Sequence, residues 1–196
     1  MARNFAIFAT PRSRSAWLGA FLTYRDWVCW HNPTIGLHGV GDLDKLLHRP
    51  MTGICDTSWA VLWPEVIDRD PSLKIVVLER DVDEVIDSLR EIGPFDEGQA
   101  RVILARLRIA LGELKQLSGT LTISAASLED PAVAKRVFEF CLPYKFDPEW
   151  YSVISKINIQ PDIANLLSMA KANSRGLANT YGLANSYYDS RVRAHA

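Results

Sequence analysis

The sequence of 196 residues has no long hydrophobic run, no cluster of basic charge and few cysteines. No stretch of about 18 apolar residues occurs, so we expect no membrane-spanning helix. The net charge is −1, and no run of lysine or arginine indicates a nucleic-acid surface. Three widely spaced cysteines form no CxxC motif or Cys/His cluster that would indicate zinc. We therefore expect neither a membrane, nor a nucleic acid, nor a metal ion among its partners.

The N-terminal residues and the cysteines predict a cytoplasmic location. Residues 1–4 lead directly into a short apolar run, without the hydrophobic region and cleavage site of a signal peptide. Cys29, Cys55 and Cys141 each lie among apolar neighbours, which is typical of buried, reduced thiols. Hydrophobic residues make up 48% of the chain and charged residues 23%, as in ordinary globular proteins.

Alternating apolar segments predict an α/β fold with about five strands. Short apolar runs, which suit parallel strands covered on both faces, occupy 5–10, 26–30, 51–55, 73–79 and 120–124. Helical spacing predicts helices over 15–24, 42–48, 58–68, 82–91, 97–118 and 130–142. Ser15 and Asp42 are the expected caps of the first two helices. This order predicts a small parallel sheet flanked by helices, with right-handed crossovers.

The chain is predicted to divide into a core, an extension and a tail. The core covers residues 1–145, a helical extension covers 146–174, and a tail rich in Ala, Asn and Tyr covers 175–196. Residues 176–187 repeat Gly-Leu-Ala-Asn-Thr-Tyr as Gly-Leu-Ala-Asn-Ser-Tyr, which is too short to form a solenoid. We expect the tail to be mobile or to contact a partner, such as a second copy of the chain.

Polar clusters follow four of the predicted strands. In chain order they are Arg12-Ser13-Arg14-Ser15, His31-Asn32, Asp56-Thr57-Ser58 and Arg80-Asp81. The carboxyl ends of parallel strands lie along one edge of the sheet, where ligands bind beside the switch in strand order. The first cluster joins a strand to a helix start, which is a typical anion site. The Walker A pattern GxxxxGK[ST] is absent, which disfavours a metal-nucleotide hydrolase.

Two segments resemble the phosphate-binding motifs of sulfotransferases that use 3′-phosphoadenylyl sulfate. The 5′-phosphosulfate loop of that family reads roughly Pro-Lys/Arg-Ser-Gly-Ser/Thr-Thr-Trp-Leu, and the corresponding segment here is Pro11-Arg12-Ser13-Arg14-Ser15-Ala16-Trp17-Leu18. The 3′-phosphate motif of the family has an arginine at a strand end and a serine eight residues later, as Arg80 and Ser88 do here. The resemblance covers roughly residues 4–130 and implies a three-layer fold like that of P-loop NTPases.

The resemblance implies that the protein transfers a sulfonate group from 3′-phosphoadenylyl sulfate to a hydroxyl or amine. The product would be 3′-phosphoadenosine 5′-phosphate, and the acceptor is not indicated by the sequence. Arg12 is implied to stabilise charge on the leaving phosphate. The implied nucleotide-binding residues are Pro11, Arg12, Ser13, Arg14, Ser15, Ala16, Trp17, Arg80 and Ser88.

The acceptor also requires a base in this mechanism. His31 is the first candidate because it follows a strand at the same edge and has an ordinary pKa near neutrality. Asp56 is the second candidate. No metal ion is implied.

The segments also depart from the family pattern, and two other functions stay open. Arg14 stands where glycine is usual, and a left-handed backbone there would cost about 1–2 kcal/mol. Ala16 lacks the usual hydroxyl, and no proline follows Arg80.

One alternative function is a catalytically idle module that binds an anion, a nucleotide or a partner. The other is a small-molecule or nucleotide kinase on a related scaffold.

Overall fold

Five short parallel strands form one sheet. They are β1 (Phe5–Ala9), β2 (Val28–His31), β3 (Thr52–Asp56), β4 (Lys74–Glu79) and β5 (Leu121–Ser124), in the spatial order β2-β3-β1-β4-β5. The computed structural model describes residues 3–36 and 40–157, which belong to the unit Met1–Ile159. The prediction of a five-stranded parallel α/β sheet is confirmed. Most of the predicted extension and the whole predicted tail lie outside the described residues.

Seven α-helices accompany the strands in the described ranges. They are α1 (Ser15–Phe21), α2 (Val40–Leu47), α3 (Trp63–Arg69), α4 (Val82–Arg90), α5 (Glu97–Leu114), α6 (Pro131–Cys141) and α7 (Pro148–Ser155). Short 3₁₀ helices lie at Pro33–Gly36, Trp59–Leu62 and Ala126–Glu129. Helices α4, α5, α6 and α7 each begin after an aspartate whose carboxylate accepts hydrogen bonds from backbone N–H groups of the first turn. No helix in these ranges is long and apolar enough to cross a membrane.

Two apolar layers cover the two faces of the sheet. Because successive side chains of a strand point to opposite faces, Phe5 and Ile7 of β1 pack with α1, α6 and α7, whereas Ala6 and Phe8 pack with α3, α4 and α5. All five residues of β1 are fully or almost fully buried. The helices on both faces give the fold three layers. The strand order places β1 at the centre of the sheet.

Helix α7 packs on the same face as α1. The indole N–H of Trp17 donates to the carbonyl of Ile154 at 3.1 Å, and that of Trp150 donates to the carbonyl of Phe21 at 2.8 Å. The ring of Tyr151 meets Trp17 edge-on, with 6.2 Å between the ring centroids. The first helix of the predicted extension therefore holds α1 against the sheet.

Several predicted boundaries are wrong by a few residues. Helix α1 is preceded by Arg14 and includes Ser15, so Ser15 is not its cap. Helix α2 begins at Val40, which places Asp42 in its first turn. Strand β2 begins at Val28, because Tyr24 and Trp27 exchange two backbone hydrogen bonds in a tight turn.

Two longer segments also differ from the prediction. The predicted helix over 58–68 is divided into a 3₁₀ helix and α3, with Pro64 in the first turn of α3, where proline is tolerated. The helix predicted over 97–118 ends at Leu114, so α5 is four residues shorter than predicted.

We expect Gly53→Ala to destabilise the protein by about 3 kcal/mol because the centre of the sheet has no room for a methyl group. A Cβ at Gly53 would overlap the ring of Phe5, which is fully buried and stacked on Trp27. The measurement is urea unfolding. Gly112→Ala is the matched control: it lies in α5 with open space around the added methyl, so it should stabilise the helix by up to about 1 kcal/mol. Equal stability of both variants would contradict this packing.

Candidate functional site at the carboxyl ends of β1 and β4

The loops after β1 and β4 diverge at the centre of the sheet. From β1 the chain continues to β2 on one side, and from β4 it continues to β5 on the other. Strands β1 and β4 are nevertheless direct neighbours, paired from Phe5 with Lys74 to Ala9 with Leu78. A switch of this kind opens a crevice at the carboxyl ends of the two strands. The polar clusters 12–15 and 80–81 follow these two strands.

Hydrogen bonds through Thr10 attach the loop after β1 to β4. The backbone N–H of Thr10 donates to the carbonyl of Leu78 at 3.0 Å, and its hydroxyl oxygen accepts from the N–H of Arg80 at 2.9 Å. Its carbonyl accepts the hydroxyl hydrogen of Ser13 at 2.6 Å, and Ser13 is fully buried. Ser13 thus closes the loop from within and does not offer its hydrogen to a ligand.

Arg12 joins the two predicted phosphate motifs. Its Nε donates to the hydroxyl oxygen of Ser88 at 3.0 Å, although the two residues are 76 positions apart. The guanidinium of Arg80 donates to the carbonyl of Arg12 at 2.7 Å and forms an ion pair with Glu84 at 3.0 Å. Burial and the nearby Arg80 charge lower the pKa of Arg12, and Glu91 partly offsets them. Positive charge is therefore concentrated beside Ser88.

Arg14 precedes α1 in a left-handed conformation. Its φ is 64° and its ψ is 22°, a region that favours glycine. The guanidinium lies 5.0 Å from the centroid of the Trp17 ring and forms an ion pair with Glu129 at 3.2 Å. Trp17 is buried, so its ring packs against other protein groups. Arg14 thus bridges the loop to the 3₁₀ helix that follows β5.

Ser15 is hydrogen-bonded to His31 across the edge of the sheet. Its Oγ lies 3.1 Å from Nε2 of the imidazole, and Ser15 is buried. The close fit is possible because α1 has a glycine at position 19, where a Cβ would lie 3.3 Å from Cβ of His31. Burial lowers the pKa of His31 to about 4, and the carboxylate of Asp56 partly offsets this shift. The ring is therefore neutral at pH 7.

The carboxylate of Asp56 is held by donors from two loops. One oxygen accepts from the N–H of Ser58 at 2.7 Å and from its hydroxyl at 2.6 Å. The other accepts from the hydroxyl and the backbone N–H of Thr34. Four donors at a residue that is 1% exposed give Asp56 a structural contact between the loops after β2 and β3. Its predicted role as a base stays a prediction.

The structure brings most of the predicted residues into one region. Arg12, Ser88 and Arg80 are in direct contact, and Ser15 touches His31. The sequence did not indicate Thr10 or Glu129 as part of the site. It did indicate an ion pair of Arg80 with Asp83 or Glu84, and the structure forms this pair with Glu84 at i,i+4 spacing. Glu129 gives no local signal, because its partner Arg14 is 115 positions away.

The remaining predicted loop residues, Pro11 and Ala16, have apolar side chains without a hydrogen-bonding atom. Pro11 and Ala16 are partly exposed within the same loop. In the described ranges, no three His, Cys, Asp or Glu side chains are grouped so that they would hold a metal ion.

A scan against protein-family models and a search of curated proteins found no match for this chain.

Replacing Arg14 tests the backbone conformation of the loop. We expect Arg14→Ala to lose the contacts with Trp17 and Glu129 and to keep the left-handed strain, whereas Arg14→Gly relieves that strain. Allowing for the greater freedom of glycine in the unfolded chain, the Gly variant should be about 1 kcal/mol more stable than the Ala variant. Urea unfolding of the two variants measures the difference. The reverse order would contradict a left-handed residue 14.

The pKa of His31 predicts a loss of stability in mild acid. Above pH 6.5 the ring is neutral in both the folded and unfolded states, so it makes no pH-dependent contribution. Between pH 6.5 and about 4 only the unfolded chain takes up the proton, which lowers the free energy of unfolding by on the order of 3 kcal/mol.

His31→Gln should remove this part of the acid sensitivity. The measurement is the unfolding free energy of both proteins at pH 7 and pH 4.5, and the wild type should lose more. His48→Gln is the control, because His48 lies at the exposed end of α2. A parallel decline of wild type and His31→Gln would rule out a buried neutral ring.

Proposed function

We propose that this protein is a sulfotransferase that uses 3′-phosphoadenylyl sulfate as its sulfonate donor. The observation that carries the proposal is the contact of Arg12 with Ser88 and of Arg80 with the Arg12 carbonyl. The resemblance assigns Arg12 to the 5′-phosphosulfate loop and the other two residues to the 3′-phosphate motif. A nucleotide that bears both groups requires the two motifs to lie side by side.

The crevice between β1 and β4 supports binding of a polyanion. Arg12 and Arg80 supply two guanidinium groups there, and charge-assisted hydrogen bonds from guanidinium to phosphate are among the strong ones in proteins. Arg80 is held by the exposed Glu84, and exchange of this surface ion pair for a phosphate costs little. Binding of the 3′-phosphate then frees the Glu84 carboxylate to solvent.

The transfer breaks the bond between the sulfonate sulfur and the bridging oxygen of the phosphate. A new bond forms between this sulfur and the acceptor oxygen or nitrogen, and the acceptor proton passes to a base. Arg12 stabilises the negative charge that grows on the bridging oxygen, a role worth about 3–4 kcal/mol for one such donor. His31, neutral at pH 7, accepts the proton in this proposal, with Asp56 as the second candidate.

An idle anion-binding or partner-binding module is the second candidate function. The observation that favours it is that the loop is already satisfied by protein groups. Ser13 donates to Thr10, and Arg14 is paired with Glu129. In such a module the loop would bind a nucleotide or a partner without transferring a group.

Calorimetric titration with 3′-phosphoadenosine 5′-phosphate tests the proposal. We expect binding in the micromolar range without a metal ion, weakened roughly 10- to 100-fold by Arg12→Ala and by Arg80→Ala, as expected for the loss of a charged hydrogen bond. The matched control is Arg108→Ala, an exposed arginine of α5, which should bind as the wild type does.

The outcomes separate the candidate functions. Binding with no turnover in an acceptor screen would favour the idle module. A requirement for magnesium would favour the kinase alternative. If the folded protein does not bind 3′-phosphoadenosine 5′-phosphate, the sulfotransferase proposal is wrong.

A further inference from the structure

The contact between Ser15 and His31 limits what the phosphate loop can offer to an anion. Within that loop, Ser13 and Ser15 are the two serines implied to bind the phosphosulfate. The hydrogen of Ser13 is committed to the carbonyl of Thr10 at 2.6 Å. Ser15 is therefore the hydroxyl on which ligand binding depends, and its only oxygen lies 3.1 Å from Nε2 of His31.

A serine hydroxyl has one hydrogen and two acceptor sites. If Nε2 of the neutral ring carries no hydrogen, Ser15 donates to it and presents only lone pairs to the loop. Lone pairs repel a phosphate or sulfate oxygen. If Nε2 carries a hydrogen, His31 donates to Ser15, and the Ser15 hydrogen is free to donate to the anion. The direction of this single hydrogen bond thus decides whether the loop attracts or rejects an anion at Ser15.

We propose that His31 is a positioning residue whose Nε2 carries a hydrogen when an anion occupies the phosphate loop, so that Ser15 donates to the anion. The inference rests on the proposed binding of phosphate or sulfate groups at this loop. This role takes the place of the base role for His31, because a nitrogen that carries a hydrogen accepts no proton, and the base role then falls to Asp56, the second candidate. The hydrogen reaches Nε2 by a change of tautomer or by uptake of one proton from solvent.

The groups around the ring are consistent with this switch. Helix α1 contributes the Ser15 hydroxyl and the bare backbone at Gly19. Strand β3 contributes Cys55, which is paired with His31 in the ladder, and Asp56. Burial raises the pKa of the Cys55 thiol, so it stays neutral, and the Asp56 carboxylate favours an added proton on His31.

Nitrogen-15 NMR of the full chain with labelled histidine tests the proposal. The probes are 3′-phosphoadenosine 5′-phosphate and inorganic phosphate, titrated at pH 7 with binding followed by calorimetry on the same sample. We expect the Nε2 signal of His31, assigned from His31→Gln, to move to the position of a protonated ring nitrogen as the loop fills. In Ser15→Ala the affinity should fall about 3- to 10-fold, the loss of one hydrogen bond, and the Nε2 signal should no longer respond.

The outcomes separate the inference from the function on which it rests. Ligand binding with Nε2 unprotonated in both states would overturn the role of His31 and leave the proposed function intact. A signal that moves equally in Ser15→Ala would also overturn it, because the anion would then act on His31 directly. No binding of either probe would overturn the proposed function and the inference together. His48, outside the loop, is the reference signal within each spectrum.

Discussion

The parallel pairing of β1 with β4 is the constraint on which the site depends. β1 lies at the centre of the sheet, buried on both faces, and its neighbour β4 comes 65 or more residues later in the chain. Ala9, the last residue of β1, pairs with Leu78 of β4. The loop after β1 therefore lies beside the segment that leads from β4 into α4. Thr10 then fixes the two loops to each other by backbone and hydroxyl hydrogen bonds. The meeting of Arg12 with Ser88 follows from this register.

The loop after β1 pairs its polar side chains with other protein groups, but two of its residues have a strained backbone conformation. Both Arg12 and Arg14 have positive φ, of 60° and 64°. Non-glycine residues adopt this region at a cost, and such residues concentrate at functional sites. The cost is offset by contacts that only long cationic side chains provide, such as the Arg14 contacts with Trp17 and Glu129. The conformation and the side chains therefore depend on one another.

The sequence was sufficient to predict the strands and the edge of the sheet where polar groups gather. The reason is that a buried parallel strand produces a continuous apolar run, as in residues 5–10 and 73–79, and the polar residue that ends it must lie at one edge. Helix starts were less predictable. Serine is a residue type that often caps helices, but the hydroxyl of Ser15 is hydrogen-bonded to His31 across the edge of the sheet.

Contacts between residues distant in the chain were beyond sequence reasoning. The resemblance implied that Arg80 and Ser88 act together, yet their contacts with Arg12 depend on the β1–β4 register. The burial of Asp56 by donors from Thr34 and Ser58 likewise depends on how two loops pack. Periodicity reports which face of an element is covered, and it carries no information on which side chain meets which.

The attachment of α1 to α7 has a consequence for the order of events during synthesis. The loop after β1 is synthesised well before α7, yet Trp17 of the helix that follows this loop is held by Ile154, 137 residues later. Contacts of such long separation form late, because the intervening chain must first be ordered. The loop after β1 is thus made before its final contacts exist. Until α7 has formed, residues 12–14 precede a helix that still lacks its final support.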